Sequence, residues 1–180
     1  MKPHYTDKDI DIHKIKCGPY DNNAYILVCP QTNESIIIDT PSDPSVVVAI
    51  ASTTTVKSIV ITHNHMDHLL GFDEVTSAFD APVSIGHDDA SALSRPADVL
   101  LQTGSEITAG NITLEAIHTP GILMDQYVTN FRSTFSQGIL CFPVARARPA
   151  PQSIWPDHRE FKNPAYSLFH RKWAFILGTE

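Results

Sequence analysis

The chain has 180 residues, 42% of them apolar and 18% charged, with a formal net charge of −7 when histidine is neutral. That balance excludes a disordered segment and leaves no basic footprint for nucleic acid. One domain's length, three sparse cysteines (Cys17, Cys29, Cys141), no membrane-length apolar run and no signal-peptide core predict a soluble cytoplasmic domain without a disulfide framework.

In chain order, Ala24–Cys29 and Ser35–Asp39 are β-rich runs on either side of Pro-Gln-Thr-Asn, a turn composition, and predict a hairpin. Ser45 is placed to cap a helix over Val46–Ser52, although three consecutive valines are poor helix formers. Ser58–Thr62 has the pattern of a buried strand and runs straight into His63-Asn-His-Met-Asp-His68. A helix is expected from about His68 to Phe79, a short strand over Pro82–Ile85, and a helical turn or two over His87–Leu93. Glu106–Ala109 and Asn111–Ile117 predict a second hairpin, which ends at His118-Thr-Pro-Gly121. Strands alternating with helices, mixed with hairpins, predict a layered α/β architecture.

The composition breaks at Gly121. Residues 1–120 hold 16 acidic and 6 basic side chains, whereas residues 121–180 hold 4 acidic and 7 basic, with ten of the 15 aromatics. Pro143, Pro149, Pro151, Pro156 and Pro164 leave room there only for short elements, such as the apolar runs Gly138–Val144 and Trp173–Leu177.

His63, His65, Asp67 and His68 fall within six residues at a strand end, where a loop can fold them into one pocket. Imidazole and carboxylate suit zinc, and also iron, manganese or nickel. In an extended segment His63 and His65 point the same way and can grip one ion; Asp67 and His68, past the turn, can face a second. Two such ions would hold a hydroxide near neutral pH and polarise a carbonyl or phosphoryl oxygen.

This H-x-H-x-D-H after a strand resembles the signature of the metallo-β-lactamase-fold hydrolases. The surroundings also match, with Asn22-Asn23-Ala24-Tyr25, Ile36-Ile37-Ile38-Asp39-Thr40-Pro41, Gly71-Phe72, Ala81-Pro82-Val83 and His118-Thr-Pro-Gly121. Residues from about 15 to 121 are nearest the hydroxyacylglutathione-hydrolase-like branch. The resemblance implies an αββα sandwich and a dinuclear zinc site, with iron or manganese as alternatives. It also implies a small-molecule substrate with a thioester, ester or lactone-type bond, attacked by a metal-bound hydroxide. By resemblance His63 and His65 bind the first metal, Asp67 and His68 the second, and Asp67 orients the attacking hydroxide as the catalytic residue. The family's third metal-binding His directly follows Thr-Pro-Gly, in the slot of Ile122, so His118 is not assigned. The family's bridging Asp, in Gly-Asp-Thr-Leu-Phe, and its last His, in Gly-His-Gly, have no counterpart as written.

Reverse translation accounts for the loss. Joining the third base of each codon to the first two of the next permits His-Thr-Asp-Gly-Ser-Val-Cys after Gly121. It permits Gly-Asp-Thr-Leu-Phe-Pro-Gly-Gly-Pro-Gly over Gly138–Ala147, and Gln-Lys-Val-Gly-Ile-Tyr-Pro-Gly-His-Gly over Arg171–Glu180. Any one match is cheap, because the codons are degenerate; three family motifs in order and in one frame are not. Residues 1–121 are therefore expected to be the N-terminal part of a metallo-β-lactamase-like domain. Residues 122–180 are expected to be a frameshifted tail rather than a separate domain, leaving the C-terminal half of the sandwich incomplete. A hydrolase impaired in this chain is the first reading; a non-catalytic remnant or a weak metal-binding module is the alternative.

Overall fold

The computed structural model describes residues 1–19, 22–120 and 127–133. The first hairpin forms as expected from β3 (Asn22–Val28) and β4 (Glu34–Ile38), antiparallel, with Tyr25 opposite Ile38. Two strands that the sequence did not signal precede it: β1 (Tyr5–Thr6) and β2 (Asp11–Cys17), each antiparallel to its successor. From β4 onward the sheet turns parallel, adding β5 (Thr55–Ile61), β6 (Val83–Gly86) and β7 (Val99–Leu101). The seven strands lie side by side in the order of the sequence. The second hairpin pairs β8 (Glu106–Ala109) with β9 (Ile112–Pro120). A further strand, β10 (Tyr127–Ser133), lies on the far side of β9 and completes a three-stranded sheet.

The central strands are buried on both faces, so they read as continuous apolar runs rather than as alternation. Ile36, Ile38 and Val60 face β8 and β9, where they pack with Ile107, Ile112, Leu114 and Ala116 between the two sheets. Ile37, Ile59 and Ile61 point the other way, onto Val47, Ile50, Phe72 and Val75 of the covering helices. The described residues thus form three layers: helices, the large sheet, and the small sheet. The runs Gly138–Val144 and Trp173–Leu177 lie outside the described residues, as do Ile122, Ile139 and Thr179, where the alternate frame permits His, Asp and His.

Two expectations about helices need correction. The first helix, α1, spans Pro44–Ala51, with Asp43 rather than Ser45 at its N-cap and no side-chain capping bond. Pro44 opens it because the proline ring presets a helical φ where an N–H is not needed. The single helix expected from His68 to Phe79 is instead α2 (Met66–Leu69) and α3 (Phe72–Ala78), separated by Leu70-Gly71. Gly71 N–H donates to Thr40 O at 2.8 Å, which ties the break to the β4–α1 loop. The approach is so close that a Cβ on Gly71 would lie 2.5 Å from Pro41 O and 2.7 Å from Pro44 Cβ. The 3₁₀ turn His87–Ala92 matches its expectation. No helix among the described residues is long and apolar enough to cross a membrane.

Candidate metal centre

Parallel strands deliver their following loops to one edge, and in open α/β sheets that carboxyl edge is where ligands bind. Here β4 delivers Asp39, β5 delivers Thr62 to His65, with α2 carrying Asp67 and His68, and β6 delivers Asp89. Three of the four expected ligands are imidazoles, and the fold brings their rings together. The His63 and His68 centroids are 4.2 Å apart, and those of His63 and His65 are 4.6 Å apart. His63 and His68 are buried, at 1% and 2% exposure, whereas His65 and Asp67 are half-buried at the rim.

Asp39 closes β4 as a buried carboxylate. It accepts hydrogen bonds from Thr62 N–H (2.9 Å) and from the Thr62 hydroxyl, and its Oδ2 lies 3.0 Å from His68 Nδ1. Thr62 Oγ1 in turn lies 3.0 Å from His63 Nδ1. Thr40 secures the loop, its N–H donating to His68 O at 3.1 Å. Asn22, from β3, donates its Nδ2–H to Asp67 Oδ2 at 2.8 Å.

These contacts set the protonation of the cluster. Burial, with the nearby His68 adding to it, pushes His63 down to about 4, so it is neutral at pH 7. Burial also opposes charge on His68, but the hydrogen bond and charge of Asp39 outweigh it and raise its pKa. For Asp67 burial is again the largest effect, yet the Asn22 bond and the neighbouring imidazoles hold it below the ordinary carboxylate range. His68 Nε2 is buried and has no hydrogen-bond partner among the described residues. An orphaned imidazole nitrogen beside two other histidines and a carboxylate has the donor chemistry of a zinc site. No three His, Cys, Asp or Glu side chains among the described residues are grouped to hold an ion as they stand. His118 lies in β9, paired with Thr129.

The sequence reading missed the supporting residues. Asp39 and Asn22 stood in recognised motifs without a role, and Thr62 was read only as a strand residue. Asp89 was missed altogether. Both its carboxyl oxygens are buried without a hydrogen-bond partner among the described residues. Burial and the adjacent Asp88 raise its pKa to about 6; Asn64 N–H, close by but not in ordinary bonding geometry, opposes the shift. The fold thus favours protonated Asp89: this contribution is fully present below its unfolded value near 3.8 and is lost as pH rises through about 6. Asp89→Asn should therefore stabilise the metal-free protein above pH ~7, by up to about 3 kcal/mol. The gain should vanish below pH ~4, as urea midpoints across that range would show. A loss of stability at pH ~8 would mean that Asp89 is needed as a carboxylate.

Residues 17–125 match the family model of the metallo-beta-lactamase superfamily. The chain is 32% identical over 116 residues to a hydroxyacylglutathione hydrolase of Rhodopseudomonas palustris, covering 64% of this chain and 45% of that one. It is 31% identical over 109 residues to a probable hydroxyacylglutathione hydrolase of Schizosaccharomyces pombe, covering 57% and 41%. It therefore spans less than half the length of these curated relatives. Among solved structures, the B3 metallo-beta-lactamase BLEG-1 superposes with a TM-score of 0.61 at 25% identity, covering 68% of this chain and 66% of that one. BJP-1 of Bradyrhizobium japonicum, at 21% identity, shares the fold with a TM-score of 0.57, covering 77% and 58%. A family model matched over more than half of its length, with the His63–His68 loop at the carboxyl edge of the parallel strands, shows that the chain belongs to the metallo-beta-lactamase superfamily.

Proposed function

We propose that residues 1–121 are the metal-binding half of a dinuclear zinc-dependent hydrolase acting on a thioester, ester or lactone-type bond. Residues 122–180, as written, leave that centre short of ligands and impair it. The observation that carries the reading is His68 Nε2, buried and without a hydrogen-bond partner among the described residues, beside His63, His65 and Asp67. In this reading His63 and His65 hold one ion, and Asp67 and His68 the other; iron or manganese suits the same donors. Bound there, the ions would acidify a water and polarise the scissile carbonyl. Asp67 is kept ionised and held through Oδ2 by Asn22, which leaves Oδ1 to face the ion and orient the attacking hydroxide. Neutral His63 offers a lone pair rather than a positive charge at pH 7. The relatives' names favour a hydroxyacylglutathione thioester as the first small-molecule substrate to try.

A second reading, a non-catalytic remnant or a weak metal-binding module, draws on the lack of three His, Cys, Asp or Glu side chains grouped to hold an ion among the described residues. Elemental analysis after dialysis decides how far the written chain is impaired. Two ligands per ion, against the three protein ligands usual at catalytic zinc, should leave well under two ions per chain. Two tightly held ions, with turnover of a hydroxyacylglutathione, would show that the written tail already completes a site.

A further inference from the structure

The hydrogen bonds around Asp39 form a chain with a defined direction. A carboxylate can only accept, and a threonine hydroxyl has one proton to give. Thr62 Oγ1 lies 2.9 and 2.8 Å from the two Asp39 oxygens, so its proton is committed to the carboxylate. The same oxygen must then accept at its 3.0 Å contact with His63, which puts the His63 proton on Nδ1. His68 Nδ1, 3.0 Å from Asp39 Oδ2, must also be the donor. In its neutral form each imidazole therefore leaves Nε2 unprotonated.

We propose that Asp39, with Thr62 as its relay, is a positioning residue that fixes the tautomers of His63 and His68 together. One carboxylate thereby prepares a ligand in each half-site before any metal arrives. Asp39 is built for such a post. It is 3% exposed, its N–H is anchored to Val60 O at 2.9 Å, and its φ of 63° is left-handed. Aspartate tolerates that conformation better than most residues, and strained backbone of this kind persists where the surroundings over-determine it. Orientation of a ligating imidazole through its other nitrogen is a general device of metal sites. Here a single residue serves two imidazoles, one directly and one through a hydroxyl.

The proposal rests on the metal reading only for its purpose; its test is made on the metal-free full-length chain. Two-bond ¹H–¹⁵N correlation spectra of histidine-labelled protein at about pH 9, above the ordinary imidazole range, report which nitrogen carries the proton. His63 and His68 should both be Nδ1–H, against the preference of a free imidazole for Nε2–H. Thr62→Val should shift the His63 tautomer ratio about tenfold toward Nε2–H, the worth of one hydrogen bond, and leave His68 unchanged. Thr62→Ser should restore the native pattern. Nε2–H on either histidine in the unmutated chain would overturn the proposal without any variant, as would equal shifts of both histidines in Thr62→Val. The expected tautomers in the written chain, with a frame-restored chain that folds but binds no metal, would uphold this inference and sink the hydrolase reading instead.

Discussion

Restoring the reading frame by one base near the Gly121 codon should give a soluble chain that holds two metal ions. It should hydrolyse an activated thioester at least about 100-fold faster than the chain as written. The written chain has four candidate ligands, His63, His65, Asp67 and His68, on one loop and its following turn. The alternate frame adds a His in the slot of Ile122, an Asp in that of Ile139 and a His in that of Thr179. Each ion then has three ligands of its own, counting Asp67, with the new Asp shared between them. Loss of a residue that merely supports a ligand costs about 10- to 100-fold in affinity or activity, so three missing ligands should cost at least the upper figure. Elemental analysis and initial rates on a hydroxyacylglutathione give the two readouts. Early stop codons closing the alternate frame in the coding DNA would refute the frame account. A restored chain that folds without metal or turnover would refute the hydrolase reading.

Asp39→Ala should destabilise the metal-free protein by about 3–5 kcal/mol, the cost of breaking a buried charged hydrogen-bonded group by removing one partner. The alanine would strand His68 Nδ1–H and the Thr62 N–H in the interior, each unsatisfied donor costing roughly 1–3 kcal/mol. It would also put a Cβ-bearing residue without a local acceptor into a left-handed φ, at roughly 1–2 kcal/mol. Urea unfolding followed by circular dichroism measures the difference. A change below about 1 kcal/mol would show that water satisfies these donors and that the carboxylate is structurally dispensable.

What could be read from sequence depended on the range of the cause. Ser58–Thr62 announced a buried strand because a continuous apolar run is legible without any distant partner. β2 escaped because its buried positions do not alternate: Ile12 packs between the sheets while Ile15 and Cys17 face the helices, with His13 and Lys14 between them. β7 escaped because it has only three residues, with Val99 and Leu100 exposed. The break at Gly71 follows from Thr40, Pro41 and Pro44, which only folding brings near. The histidine loop was legible because its chemistry is contiguous. Its support was not, because Asp39 lies 29 residues from His68 and Asn22 lies 45 from Asp67.

The order of strands in the large sheet also bears on how the protein is made. Every strand from β2 to β7 pairs with the one before it, so pairing never waits for a segment still to come. Chains leave the ribosome at about 5–20 residues per second, slow compared with the microseconds in which a hairpin closes. The sheet can therefore be laid down strand by strand during synthesis, finished once Leu101 has emerged. The reading-frame slip proposed at Gly121 would lie beyond the last codon of β7, so it would leave the pairing of all seven strands encoded unchanged.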